Sequence, residues 1–250
     1  LSVLGAVVIV LIGLLARRLA GNRAGLVAAA IAAVNANLWM NDVIVMAETI
    51  GALCLVVLLL AVYRLIEAPT LRRAAAAGLC VGVAGLARAE LLLYGPLLVL
   101  PACLLAKQVN LRSRLLLSTV AGAAALLTLA PWTVHNLTRF EEPVLMSTND
   151  GLTIIGANCA KVYGIEGDGG GIGFWNLQCR FDADEAYDIP ATGDQSVHAR
   201  RYREIGFEFI GEHTDRLPTV IRYRVLSMYG IEAPSEMVWL NGGEGRADWA

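Results

Sequence analysis

Acidic side chains are nearly missing from the first half of this 250-residue chain. Residues 1–134 hold four of them (Asp42, Glu48, Glu67, Glu90), although the whole chain has 22. Charged residues make up only 17% of the total, against about 25% in a typical soluble domain. This excludes one uniform soluble domain and a disordered chain. Lysine is equally scarce: Lys107 and Lys161 stand beside 18 arginines, and the net charge is −2. A balance so close to neutral excludes nucleic acid as a partner. Only three histidines exist (His135, His198, His213), and none has zinc-ligand spacing to a cysteine pair. Five cysteines in 250 residues are too few for a small disulfide scaffold. There is no Ser–His–Asp constellation, no HExxH helix and no lysine-containing phosphate loop.

What is abundant is apolar: 56% of the residues are hydrophobic, and 25 more are glycine. The apolar residues gather in six segments, 1–16, 25–40, 43–63, 74–87, 91–106 and 115–134. A straight membrane span needs roughly 20 residues. Segments 43–63 and 115–134 meet that length. The shorter Ala/Gly-rich ones can still span when packed among neighbours; alternatively, 74–106 forms one re-entrant hairpin. The fold expected is an all-α membrane domain, 1–134, followed by a polar region, 135–250. The chain opens on Leu1 within an apolar run, with no charged segment before it, so it does not read as a signal peptide. It is expected to be a piece of a longer protein, missing its start and its end.

Lysine and arginine set the orientation. If segment 1–16 runs from outside to inside, the inner loops carry Arg17, Arg18, Arg23, Arg64, Arg72, Arg73, Lys107, Arg112 and Arg114. The outer loops then carry only Arg88. Region 135–250 is therefore expected outside the cytoplasm. Arginine in place of lysine, with much Ala, Gly and Leu, suggests a GC-rich bacterial genome, hence a bacterial inner (cell) membrane. The same orientation places Asp42, Glu48, Arg88 and Glu90 at outer helix ends. Ionisable groups at the edge of the hydrocarbon are costly and are candidates for function. The plainer alternatives are that Asp42 caps a helix starting at 43 and that Arg88 pairs with Glu90 or snorkels to headgroups.

In the polar region, Pro131 and Trp132 are expected to end the last membrane helix. Val144–Met146 and Leu152–Ile155 read as short strands around the turn Thr148-Asn149-Asp150-Gly151, which gives a mixed α/β region. Stretches 200–214 and 216–230 have helical periodicity. Cys54, Cys80 and Cys103 fall in membrane segments as small apolar fillers. Cys159 and Cys179, in an oxidising compartment, are expected to form a disulfide. It would close a loop bearing the glycine run 167–173, which reads as a flexible tip and not as a phosphate cradle. Asn136-Leu137-Thr138 matches a glycosylation sequon by coincidence.

Three stretches carry a family resemblance. GNRAGLVAAAIAAVNANLWMNDVIVMAETIGALCLVVLLL (21–60), GLARAELLLYGPLLVLP (85–101) and PWTVHNLTRFEEPVLMSTNDGLTIIGANC (131–159) together resemble the GT-C class of integral-membrane glycosyltransferases. The likeness is to the bacterial relatives of protein mannosyltransferases and of the lipid A aminoarabinose transferase. The cysteine pair around Trp175 resembles an actinobacterial branch of that family. The resemblance implies transfer of a hexose or pentose from a polyprenyl-phosphate donor to a lipid, glycan or protein acceptor outside the cytoplasm, in contact with membrane lipids. It implies Glu48 and Asp42 as catalytic acids, with the family's main acid expected upstream of residue 1. It implies Arg88, Glu90, His135 and Asn149 for the donor phosphate and substrate, although His135 stands where the family pattern has Arg. No cofactor is required by this reading; a divalent metal held by Glu48 is an option. A transporter and an inactive membrane scaffold are the competing functions. Transporters usually show internal repeats and midplane charges, and neither is evident here.

Overall fold

The structure is a computed structural model of the chain, and residues 1–42, 47–165 and 171–232 are described. The chain divides into two compact units, Leu1–Trp132 and Thr133–Trp249.

The first unit is helical throughout its described residues. Its elements are α1 (Ser2–Val34), α2 (Ala36–Asn41), α3 (Glu48–Glu67) and α4 (Leu71–Ala87). Two short non-α turns follow, Ala89–Leu93 and Gly95–Val99, then α5 (Leu100–Leu104) and α6 (Leu111–Arg139). Among the described residues, three helices are long and apolar enough to cross a membrane: Ser2–Val34, Glu48–Glu67 and Leu111–Arg139. The first of these is not straight. Gly21 takes φ 87°, ψ 178°, a conformation open to glycine and costly for other residues. The halves of α1 then lie against each other. A Cβ on Gly13 would sit 3.0 Å from Ala29 Cβ, and one on Gly25 would sit 2.7 Å from Arg17 Cβ. Small residues on both halves allow this approach.

The expected segment 25–40 is broken at Asn35, whose side-chain oxygen accepts from Leu38 N and starts α2. Segment 74–87 is a helix extended back to Leu71, with Thr70 accepting from Arg73 N. Segment 91–106 is not one regular helix: Gly95 and Pro96 fall in its middle, and proline removes an amide donor there. Trp132 does not end the last helix. α6 continues through Pro131 to Arg139, so the loss of one amide donor was absorbed within the turn.

Helices α3, α4, α5 and α6 meet around Leu58, Leu65, Ala74, Ala77, Cys103 and Leu117. Gly78 brings α4 onto α6 so closely that a Cβ there would lie 2.0 Å from Ala121 O. The two ends of this bundle differ in charge. At one end Arg18 clasps Glu67 through two bonds, 2.9 and 2.7 Å. Nearby arginines satisfy helix ends: Arg73 donates to Arg64 O and Ala68 O, and Arg114 to Leu104 O and Val109 O. Asp42, Glu48, Arg88 and Glu90 stand at the other end.

The second unit corrects the mixed α/β expectation. Among its described residues there is no strand. Its helices are α7 (Asn149–Ala157), α8 (Gln178–Ala186), α9 (Gln195–Glu212) and α10 (Leu217–Met228). Leu152–Ile155, expected as a strand, lies inside α7, and Val144–Met146 is irregular. Helix formation there pays through packing: Ile155 joins Ala183, Tyr202 and Ile205 in a buried cluster. Gly151 lets α9 approach to within 2.3 Å of where a Cβ would be. The helices expected at 200–214 and 216–230 are present as α9 and α10, with Asp194 capping α9 through Ser196 N.

Cys159 and Cys179 form a disulfide, packed beside Val162, Tyr163 and Val220. Of the glycine run, residues 167–170 lie outside the described residues. Gly173 is pinned: its N–H donates to Val162 O, and its carbonyl accepts from Arg224 Nε at 3.2 Å. Asn136 of the sequon is 2% exposed, and its amide donates to Met146 O. A glycosylated asparagine must face solvent, so this one is structural.

Lys161 and Gln178 both donate to Asp182 (2.5 and 3.0 Å) and hold its carboxyl below the ordinary range, Lys161 most. A depressed carboxylate contributes stability above its unfolded pKa and loses it as pH falls through the folded one. Lys161→Ala is therefore expected to destabilise this unit by under about 1 kcal/mol at neutral pH, the pair being half exposed. The difference from wild type should vanish on acidification. Urea midpoints measured across pH check this.

Candidate functional site

The site is built where α2, α3 and the turn after α4 converge. α4 ends at Arg88, which is extended (φ −151°, ψ 120°) and donates its N–H to Ala84 O. That turn directs the side chain at α3. Gly51, one turn after Glu48, leaves room for the arginine stem: a Cβ there would be 3.0 Å from Arg88 Cδ. Arg88 Nη1 then donates to Glu48 Oε1 at 3.0 Å, and Nε to Glu90 Oε1 at 2.5 Å. One guanidinium thus bridges two carboxylates, one at the start of α3 and one in the turn after α4.

The two carboxylates differ in surroundings. Glu48 has 23% of its side chain exposed and Glu90 55%. Glu48 Oε2 is buried and has no hydrogen-bond partner among the described residues. A buried carboxylate oxygen without a donor is costly, and such atoms in native folds call for an explanation.

Asp42 follows α2 and accepts from Thr49 Oγ1 at 2.8 Å. It does not act as the cap of α3, whose first residue is Glu48; residues 43–46 lie outside the described residues. Asp42, Glu48 and Thr49 line one small pocket, together with Gly5, Trp39 and others. Gly5 is required there, because a Cβ would fall 1.8 Å from Asp42 Oδ2. Gly5→Ala is expected to push the Asp42 carboxylate away from Thr49 and to destabilise the first unit by about 1–3 kcal/mol, the range for overpacking a tight contact. Denaturant midpoints of the inserted variant measure it.

The structure thus brings together Asp42, Glu48, Arg88 and Glu90. The Arg88–Glu90 pair weighed from sequence is formed, and Glu48 joins it. Thr49 and Gly5 were not singled out from sequence; the only signal was their apolar helical setting. His135, in the part of α6 that follows Trp132, and Asn149, which opens α7, both fall in the second unit. Among the described residues, no group of three or more His, Cys, Asp or Glu side chains converges. Asp42 and Glu48 are the two carboxylates that line the pocket.

The family model of dolichyl-phosphate-mannose-protein mannosyltransferases matches residues 2–135, just over half of the chain. The chain belongs to that family. It is a membrane glycosyltransferase of the mannosyltransferase type, and the match favours this over the transporter and scaffold readings. The matched residues of this mannosyltransferase-family chain run from α1 into α6 and include Asp42, Glu48, Arg88, Glu90 and His135. Asn149 and the disulfide lie beyond them. No curated protein and no solved structure matches the chain.

Proposed function

We propose that the protein moves a sugar from a polyprenyl-phosphate carrier to an acceptor outside the cytoplasm, in a bacterial inner membrane, with the Glu48–Arg88–Glu90 cluster at the outer face. Six spans, those near 1–16, 25–40, 43–63, 74–87, 91–106 and 115–134, would put this cluster outside and the arginine-rich end inside, in keeping with the positive-inside rule. The observation that carries the reading is the bridging of Glu48 and Glu90 by Arg88, beside the pocket that holds Asp42.

In the reaction an acceptor hydroxyl oxygen bonds to the sugar C1 as the bond from C1 to the phosphate oxygen breaks. The polyprenyl phosphate leaves with the bonding electrons, and a carboxylate takes the hydroxyl proton. Arg88 stabilises the leaving phosphate, for which a planar guanidinium is well matched. Its Nε and Nη1 already face carboxylates, so the phosphate competes with Glu90, the more exposed of the two. Glu48 stays with Arg88 and offers Oε2 to orient the acceptor hydroxyl, with Asp42 as the second acid of the pocket. His135 and Asn149 are substrate-binding residues of the second unit.

This division of roles gives opposite effects for the two glutamates. Glu48→Gln in the intact protein is expected to lower kcat about 100-fold or more, with membrane insertion unchanged. Glu90→Gln removes the competing anion and is expected to lower KM for the donor with little loss of kcat. Steady-state kinetics with a labelled lipid-linked sugar checks both. Full activity of Glu48→Gln would remove it from the site.

A further inference from the structure

The second unit contains a polar pocket where α7, α8 and α9 meet. Its walls carry Thr148, Asn149, Arg180, Gln195, His198 and Tyr202, over an apolar floor of Leu152 and Ala199. No carboxylate lines it, so its chemistry differs from that of the Glu48 site. Hydroxyl, amide and imidazole groups can each donate and accept, whereas the guanidinium only donates.

Arg180 is held in place from behind. Its Nε donates to Tyr202 Oη at 3.2 Å and lies 3.3 Å from Asp184 Oδ2. Tyr202 in turn donates its hydroxyl proton to Asp184 Oδ1 at 2.6 Å. Tyr202 is a buried member of the α7–α8–α9 core, which fixes the whole relay. Burial, and then the bond to Asp184, push the Tyr202 phenol above its ordinary value, so the relay keeps its proton through neutral pH. Both Nη groups of Arg180 are left without a hydrogen bond to a described residue, and they form the donor fork that matches a carboxylate or phosphate. Asn149 and Gln195, the first residues of α7 and α9, are exposed at the rim.

An orienting charge, a ring of amide and hydroxyl groups and a floor for C–H faces suit a sugar ring better than a lipid tail or a metal. We infer that this pocket binds a saccharide carrying an anionic group, such as a uronic acid, with Arg180 on the anion and Asn149, Gln195 and His198 on the hydroxyls. Resting on the glycosyltransferase reading, the bound saccharide is a glycan acceptor, and Asn149 contacts that substrate.

The test uses the intact protein in nanodiscs, with sodium glucuronate and glucose as probes and saturation-transfer NMR as the readout. Saturable glucuronate binding is expected, weaker binding of glucose, and at least a tenfold loss of glucuronate affinity in Arg180→Gln. Arg180→Lys, which keeps charge without the fork, should fall between. Because Arg180 touches the core relay, the exposed substitutions Asn149→Ala and Gln195→Ala are measured as well, and each should weaken both sugars. Absence of saturable binding to the wild type at up to about 100 mM, or binding that ignores all of these substitutions, would overturn the inference. Release of polyprenyl phosphate from a labelled donor is followed in the same preparation. Donor release without saccharide binding refutes the pocket alone, and saccharide binding without donor release refutes only the catalytic reading.

Discussion

Arg88→Ala is expected to lower sugar transfer by about 100- to 1,000-fold, the range seen when one preorganised donor to a developing anion is removed. Two losses combine. Under the proposed mechanism the leaving phosphate loses its cation, and Glu48 and Glu90 lose the group that bridges them at 3.0 and 2.5 Å. Glu48 then keeps a partly buried charge with no partner for either oxygen, since Oε2 has none already. Uncompensated charge of this kind is strongly unfavourable, so the carboxylate turns away. Arg88→Lys should recover only part of the activity: it restores the charge but cannot reach both carboxylates with a rigid fork. The comparison is made by transfer assay on variants whose membrane insertion has been verified. Insertion should be normal, because Arg88 lies beyond the end of α4 and outside the buried cluster of Leu58, Leu65, Ala77 and Cys103.

The second large effect concerns the disulfide. Cys159 and Cys179 are 20 residues apart, and closing a loop of that length restricts the unfolded chain by about 3 kcal/mol. Cys179 is 1% exposed, within the cluster of Val162, Tyr163 and Val220, so the bond also ties α8 to that core. Replacing both cysteines by serine is expected to destabilise the second unit by about 2–5 kcal/mol, with a hydroxyl buried where a sulfur had been. Denaturant midpoints of oxidised wild type, reduced wild type and the double variant measure this. Reduced wild type and the double variant should unfold at similar denaturant, well below the oxidised protein. The first unit, whose cysteines Cys54, Cys80 and Cys103 are unpaired, should not respond to reduction.

Much of the first unit can be read from its residues because the bilayer permits few backbone solutions. A long apolar run must be helical to satisfy its amide groups, and 43–63 and 115–134 announce α3 and α6 directly. The break at Gly21 is marked by the flanking arginines of Arg17, Arg18 and Arg23. Pro131 misleads because a single missing N–H does not end a helix whose neighbours hold it.

The second unit was harder to read for a specific reason. Leu152-Thr153-Ile154-Ile155 is rich in β-branched residues, and Thr148-Asn149-Asp150-Gly151 has turn chemistry. The same Thr, Asn and Asp also suit a helix start, and packing against α9 at Gly151 and Gly206 decided for the helix. α8 was overlooked because its nine residues are mostly polar and its buried face is only Cys179 and Ala183.

The candidate site was half legible. Asp42, Glu48, Arg88 and Glu90 stood out because charge is rare in that half of the chain. Their union was not visible: Glu48 and Arg88 are 40 residues apart, and only the turn at Arg88 and the gap at Gly51 bring them together. Arg180, His198 and Tyr202 carried no comparable signal, being ordinary polar residues in a polar region on two different helices.

The most direct test of the central claim is donor turnover by the intact protein in proteoliposomes, using a polyprenyl-phosphate sugar labelled in both sugar and lipid. The account predicts that each sugar leaving the lipid is matched by one free polyprenyl phosphate and by label on the acceptor, and that both are lost in Arg88→Ala. Label that stays on its carrier in the presence of wild-type protein and acceptor, or turnover that continues undiminished without Arg88, would contradict it.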